Sequence, residues 1–243
     1  MKTMCISRTI FLSSALACTL AMQARADLIT NGGFESGFSG WTRANQLGSD
    51  GQFFAQTGIL SPVNSFTVPA PPQGLTAAMT DALGPGAHVL YQDFVVPSVV
   101  PGASIGFALF INNNNGALAF FNPSTLDFAT PALNQQARVD ILKTSADPFS
   151  VASADILQNL FQTTPGSPLL SGYNNFLIDL TTLLQAQQGQ TLRLRFAETD
   201  NVAAFNLGVD NVSIDVGANA VPEPASFLMV IGALLGVGLL KRH

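Results

Sequence analysis

Asp210 stands out among the ionisable residues of this 243-residue chain because of what surrounds it. Val212, Ile214 and Val216 share one strand parity and Ser213 and Asp215 the other, so the even positions, Asp210 among them, are expected to face the core. Upstream, the apolar residues Leu207 and Val209 are odd. The apolar face therefore switches across Asp210-Asn211, which predicts a bulge or a strand entry there. A carboxylate turned inward must be paired, hydrated or bound to a metal.

Other chemistry is sparsely supplied. Gly102-Ala103-Ser104-Ile105-Gly106 formally matches the G-x-S-x-G nucleophile elbow. That motif needs a strand-turn-helix and a later histidine, whereas the residues after it read as a strand and the one later histidine is His243. His88 is the single histidine between the two ends of the chain, which excludes histidine-rich metal centres and is read as a strand-end surface residue. Carboxylate pairs for glycoside hydrolysis are not selected by any spacing. For sugar binding, Trp41 is expected in the core, leaving Tyr91, Tyr173, Phe120 and Phe121 as candidate platforms and 112–115 as a candidate polar loop.

Charge narrows the classes further. Residues 27–220 carry five basic side chains against fourteen acidic ones, a net charge of −9, so no basic patch exists to bind nucleic acid. Both cysteines, Cys5 and Cys18, lie before residue 27, so the remaining chain can form no disulfide and no thiolate metal site.

Asn31-Gly32-Gly33-Phe34-Glu35, followed by Gly40-Trp41, is similar to the opening of the galactose-binding-like jelly rolls, which include carbohydrate-binding modules. Gly208-Val209-Asp210-Asn211-Val212 resembles the strand with which those folds close. The resemblance implies a structural calcium near the meeting of first and last strands, with Glu35 and Asp210 as side-chain ligands and backbone carbonyls supplying the rest. The alternative is that Glu35 caps a turn and Asp210 pairs with Arg193 or Arg195.

The elements that must position these residues read as short strands broken by Gly and Pro. Strand patterns fall at 52–57, 75–79, 88–96, 103–111, 136–143 and 190–197. In the last of these, Leu192, Leu194 and Phe196 share one face and Arg193 and Arg195 the other. The proline-rich stretch 58–74 is expected to be irregular, and 112–116 a turn or loop. One helix is predicted from Ser153 as N-cap through Ile156, Leu157, Leu160 and Phe161, and a short helical turn within 181–188. The fold class expected is all-β, a β-sandwich of jelly-roll, galactose-binding-like type with one or two short helices, over residues 27–217.

The two ends carry addresses. Lys2 and Arg8 precede an apolar run over 10–22, and Ala24-Arg25-Ala26 is an A-x-A cleavage pattern, so 1–26 reads as a secretory signal peptide cleaved after Ala26. At the other end, a linker over 218–224 contains Val221-Pro222-Glu223-Pro224, whose two prolines make it extended and stiff. Residues 225–240 are uncharged and would cover about 24 Å as a helix, short of the ~30 Å hydrocarbon core. Lys241 and Arg242 follow as a basic stub, completing the segment 225–243. This order closely resembles the PEP-CTERM sorting signal of Gram-negative bacteria that make exopolysaccharide. It implies export machinery and an inner-membrane exosortase as partners, transient membrane insertion, then release to the cell surface or extracellular matrix. The function expected is that of an exported, non-catalytic protein of the exopolysaccharide matrix. A carbohydrate-binding module is the alternative and a glycan-active enzyme the third reading.

Overall fold

The computed structural model describes residues 26–113, 120–167 and 170–217. Ala24 of the cleavage pattern, Val221, Pro222, Glu223 and Pro224 of the sorting motif, and Lys241 and Arg242 of the stub lie outside the described residues, as does the apolar segment between them.

The strands are β1 (Ala26–Asp27), β2 (Thr42–Asn45), β3 (Gln52–Thr57), β4 (Thr76–Asp81), β5 (Gly86–Val95), β6 (Ala103–Asn113), β7 (Gln135–Lys143), β8 (Ile156–Gln162), β9 (Leu170–Asp179), β10 (Thr191–Asp200) and β11 (Phe205–Val216), with one short helix, α1 (Thr181–Ala186). They form an all-β sandwich of two antiparallel sheets. Sheet A runs β3-β4-β11-β6-β9 with β1 added to β11, and sheet B runs β2-β5-β10-β7-β8. Alternation drives this arrangement: Leu192, Leu194 and Phe196 on β10 meet Ile105, Phe107 and Leu109 on β6 within one buried cluster. Phe196 is packed edge-on against Phe107 at 5.8 Å between ring centroids and lies 6.0 Å from the ring of Trp41.

The first and last described strands close the fold. β1 pairs with the end of β11, Asp27 opposite Asp215, and the Asp27 carboxylate accepts the Ile29 and Ile214 amides, each at 2.9 Å.

One predicted helix is instead a strand. Asp155 and Ile156 donate to the Ala152 carbonyl in a single turn, after which β8 pairs with β7 as the edge of sheet B. The spacing of Ile156, Leu157, Leu160 and Phe161 imitates a helical face because β8 is irregular. Its register against β7 shifts twice, between Val139 and Asp140 and between Ile141 and Leu142, and each shift displaces the period of two. The helical turn expected within 181–188 is α1. At the start of the asparagine run, Asn112 and Asn113 still belong to β6.

Candidate functional site

The turn that presents Glu35 is built from its own side chains. Asn31, at a positive φ of 54°, donates through Nδ2 to the Gly37 and Ser39 carbonyls (2.9 and 3.1 Å) and accepts the Ser36 amide (3.1 Å). Its carbonyl accepts Trp41 Nε1 at 3.1 Å, which satisfies the indole while Phe34 and Trp41 pack into the core. Trp41 is thus a core residue, as its place in the motif implies. Gly32 lies against β11: a Cβ there would sit 1.7 Å from the Val212 carbonyl oxygen, and the Val212 amide donates to the Gly32 carbonyl at 3.0 Å. Only glycine lets this loop close onto the last strand.

Stitched down in this way, the loop aims Glu35 at residues 73–76. Glu35 Oε1 accepts the Leu75 and Thr76 amides at 2.8 and 2.9 Å. Asp210 reaches the same turn from β11, its Oδ2 accepting the Gln73 amide at 3.1 Å and its Oδ1 the Asn211 amide at 2.7 Å. Two glycines keep the space between them open. A Cβ on Gly74, whose φ is +63°, would strike the Glu35 carboxylate at 2.3 Å, and one on Gly33 would meet Gln73 Oε1 at 3.2 Å and Asp210 Oδ1 at 3.9 Å.

The predicted bulge is present, because the β11–β6 register shifts between Asp210 and Ser213 and Asn211 takes a φ of 52°. Its consequence for Asp210 differs from the expectation. Asp210 is fully buried, but on the face of sheet A turned away from the main core. It shares that face with Gly208, which abuts the Tyr173 hydroxyl, and Tyr173 belongs to a separate small cluster with Val68, Met79 and Phe110. Nor does it pair with arginine: Arg193 bonds Asp93 and Arg195 bonds Asp140, both on sheet B. Burial pushes the Asp210 carboxyl up to about 6, and the nearby Glu35 charge adds to the rise while the two amides oppose it. Two carboxylates and an amide oxygen around a glycine-lined opening fit a hard, oxygen-seeking cation. Among the described residues no group of three or more His, Cys, Asp or Glu side chains is placed to hold a metal, so the acidic complement here is this pair.

The outer face of sheet B carries a second arrangement. Arg195, fully buried, donates to Asp140, which also receives Arg138 Nε and Nη2 at 2.7 and 2.8 Å. Arg195 Nη1 donates to the Pro148 and Ser150 carbonyls, each at 2.7 Å, and so fastens the β7–β8 connection over the sheet. Burial alone would raise the Asp140 carboxyl; Arg138 and Arg195 outweigh it and hold the group below the usual carboxylate range. Between this connection and the segment before β7 lies an open cleft of about 490 Å³ lined by Gln46, Asp127, Asp147, Phe149 and Ser150. Its polar groups are pre-set by local bonds. Asp127 accepts Gln46 Nε2 and the Ala129 amide, Gln46 Oε1 accepts the Phe128 amide at 3.2 Å, and Asp147 accepts the Phe149 amide at 2.7 Å.

None of the aromatic platforms expected from the sequence is open. Tyr91 lies under the Arg193 guanidinium at 4.1 Å, Tyr173 is packed on Phe110, Phe120 is buried, and Phe121 is half-buried with its backbone paired to Gln135. The aromatic ring beside polar groups is Phe149, which follows Asp147-Pro148 in a turn that strand patterns do not reveal. His88 is not a surface residue: it is buried on the inner face of sheet B. The G-x-S-x-G match lies at the start of β6, where Ser104 is paired with Asp215 and Asp179 in the ladder rather than raised on an elbow.

No protein-family model and no curated protein matches the sequence. Among solved structures, the chain is similar to a carbohydrate-binding module solved with β-1,4-galactotriose, at 11% identity and a TM-score of 0.44, over 78% of this chain and 97% of that one. It is also similar to the K3 adhesin domain of Lys-gingipain from Porphyromonas gingivalis, at 11% identity and a TM-score of 0.45, over 78% and 98%. A Stig cyclase from Fischerella matches at 17% identity and a TM-score of 0.44, over 79% and 98%. These likenesses concern the β-sandwich fold alone.

Proposed function

We propose that the chain is an exported, non-catalytic β-sandwich that binds an extracellular glycan at the cleft on the outer face of sheet B. The cleft itself carries this reading. The half-buried Phe149, held by packing on Val89, Leu126 and Ala197, and two carboxylates and an amide that each accept a backbone N–H, line an open space within the ~300–1,000 Å³ of small-ligand sites. Planar polar groups beside an aromatic face are what a sugar ring requires. The place of Ser104 within the β6 ladder rather than on a strand-turn-helix elbow, with His88 buried on the other sheet, supports a binding role over a hydrolytic one. Incubating the protein with the glycan it retains should release no smaller product, and turnover would replace the binding reading with an enzymatic one.

Calcium is proposed as the structural ion, held by Glu35, Asp210 and Gln73 Oε1. It would offset the Glu35 charge that acts on the buried Asp210 carboxyl.

The route rests on the two ends of the sequence. The signal-peptide pattern ending at Ala26 and the PEP-CTERM-like tail from Val221 support export, exosortase processing and delivery to the cell surface or polysaccharide matrix. Protein recovered from the medium should therefore begin at Asp27 and lack 225–243 by intact mass. Recovery with the apolar tail attached would contradict the processing.

A further inference from the structure

At one end of the sandwich the interior stops being apolar. The register of sheet B sets Gly86, Asp200 and Gln135 in one row across its inner face and His88, Glu198 and Ala137 in the next, before Leu90, Phe196 and Val139 resume the core. The four polar residues are at most 5% exposed. Glu198 Oε1 and both amide atoms of Gln135 have no hydrogen-bond partner, while the His88 ring meets Asn45 Oδ1 and the Asp50 backbone. Folded proteins seldom leave so many buried polar atoms unmatched in one place.

Asp200 stands at the edge of this row. Its Oδ1 accepts the Gly86 amide at 3.2 Å, and the residue lines a pocket of about 210 Å³ whose other walls include Leu83, Pro85, Val202, Ala203 and Ala204. Its acidic neighbours are two. Glu198 lies behind it on the same strand, its carboxyl raised well above the usual range by burial and by the Asp200 charge, and Asp50 approaches from the β2–β3 connection, where it braces the Leu83 amide at 2.9 Å. Opposite, β5 offers His88, which burial keeps uncharged down to about pH 4. β7 offers Gln135, the β10–β11 connection offers Asn201, and no Lys or Arg lines the pocket.

We propose that this end of the sandwich is a binding site for a small aliphatic primary ammonium ion, its N–H groups donating to Asp200 with Glu198 behind and its carbon chain lying along Leu83, Pro85 and Val202. A carboxylate floor under apolar walls matches such a ligand at both ends. The volume, below the ~300 Å³ where drug-sized sites begin, limits it to a few heavy atoms. Binding is independent of the glycan cleft, which lies on the opposite face of sheet B.

Burial, with the Asp50 charge adding to it, pushes the Asp200 carboxyl up to about 7. An alkylammonium stays charged well above that. Affinity therefore rises as Asp200 ionises, and below pH 7 it weakens towards about tenfold per pH unit.

Calorimetric titration of the protein with n-butylammonium chloride tests this, with 1-butanol as the uncharged control and Phe149→Ala as a variant in the other cleft. The expected result is saturable one-to-one binding at pH 8, at least about fivefold weaker at pH 6, with no binding of 1-butanol and no effect of Phe149→Ala. Asp200→Asn, which keeps an acceptor for Gly86, should abolish binding. So should Ala203→Trp, which fills the pocket from its wall and leaves both carboxyls in place. Equal binding of 1-butanol, binding that survives both variants, or no saturable binding of n-butylammonium at pH 8 would overturn the proposal and leave a chamber that holds water only.

Discussion

Replacing Asp140 by alanine is expected to destabilise the domain by about 3–5 kcal/mol, the cost of leaving a buried charge without its partner. Two guanidinium groups converge on this carboxylate, and Asn159 Nδ2 adds a further bond at 2.8 Å. With Asp140 removed, Arg195 remains fully buried with carbonyl partners and no ion-paired carboxylate, the Asp147 charge acting on it only at longer range. At about 2–4 °C per kcal/mol for a domain of this size, the melting midpoint should fall by roughly 6–20 °C. The pH dependence has a definite sign. The folded-state carboxyl lies below its ordinary 3.8, so its contribution is complete above that value and is lost as pH falls through the lower folded one. Wild-type protein should accordingly lose stability on acidification below pH 4, and Asp140→Ala should lose less of it there. A midpoint within 2 °C of wild type by calorimetry would show that the arginine network does not hold the sheet face together.

Chelation is expected to have the second large effect. An ion at 100 times its dissociation constant stabilises a fold by about 2.7 kcal/mol, so removing calcium should lower the midpoint by roughly 5–10 °C. Here the sign is opposite to that of Asp140. The Asp210 carboxyl is raised from 3.8 to about 6, so its contribution to the ion-free fold is full below pH 3.8 and is lost as pH rises through 6. Calcium reverses that loss, and the midpoint increment it confers should grow between pH 5 and pH 7. Asp210→Asn should abolish the increment. No difference between calcium-loaded and chelated protein at pH 7 would rule out the ion and leave Glu35 and Asp210 as caps on the 73–76 turn.

Much of the sandwich was legible in the sequence because alternation is a direct trace of a half-buried strand. β3 falls at 52–57 as the pattern requires, and the Leu192-Leu194-Phe196 face is the core face of β10. Carrying that parity two steps further reaches Glu198 and Asp200, and carrying the Leu90-Gln92-Phe94 parity back reaches His88. The buried polar end was therefore present in the pattern, although polar residue types argue for the surface. The bulge at Asp210 was visible too. Its effect was not, since counting back by two from Val216 carries the parity across the irregularity and turns the side chain to the wrong face. β8 was misread for the same reason, two register shifts in seven residues. The covering of Arg193 and Arg195 by the β7–β8 connection, and the placing of the half-buried Phe149 at the cleft that Asp127 also lines, depend on where loops cross the sheet. Those contacts join residues far apart in sequence, and no local pattern records them.

Binding of a glycan at the Phe149 cleft is the central claim, and a glycan array probed in parallel with wild type and Phe149→Ala tests it most directly. The account predicts that wild type retains at least one extracellular polysaccharide, and that Phe149→Ala, still folded by its cooperative melt although destabilised by loss of packing on Val89, Leu126 and Ala197, binds it at least about tenfold more weakly, the ~1.4 kcal/mol equivalent of a lost aromatic contact. An array on which wild type retains no glycan, or on which the variant binds as well as wild type, would contradict it.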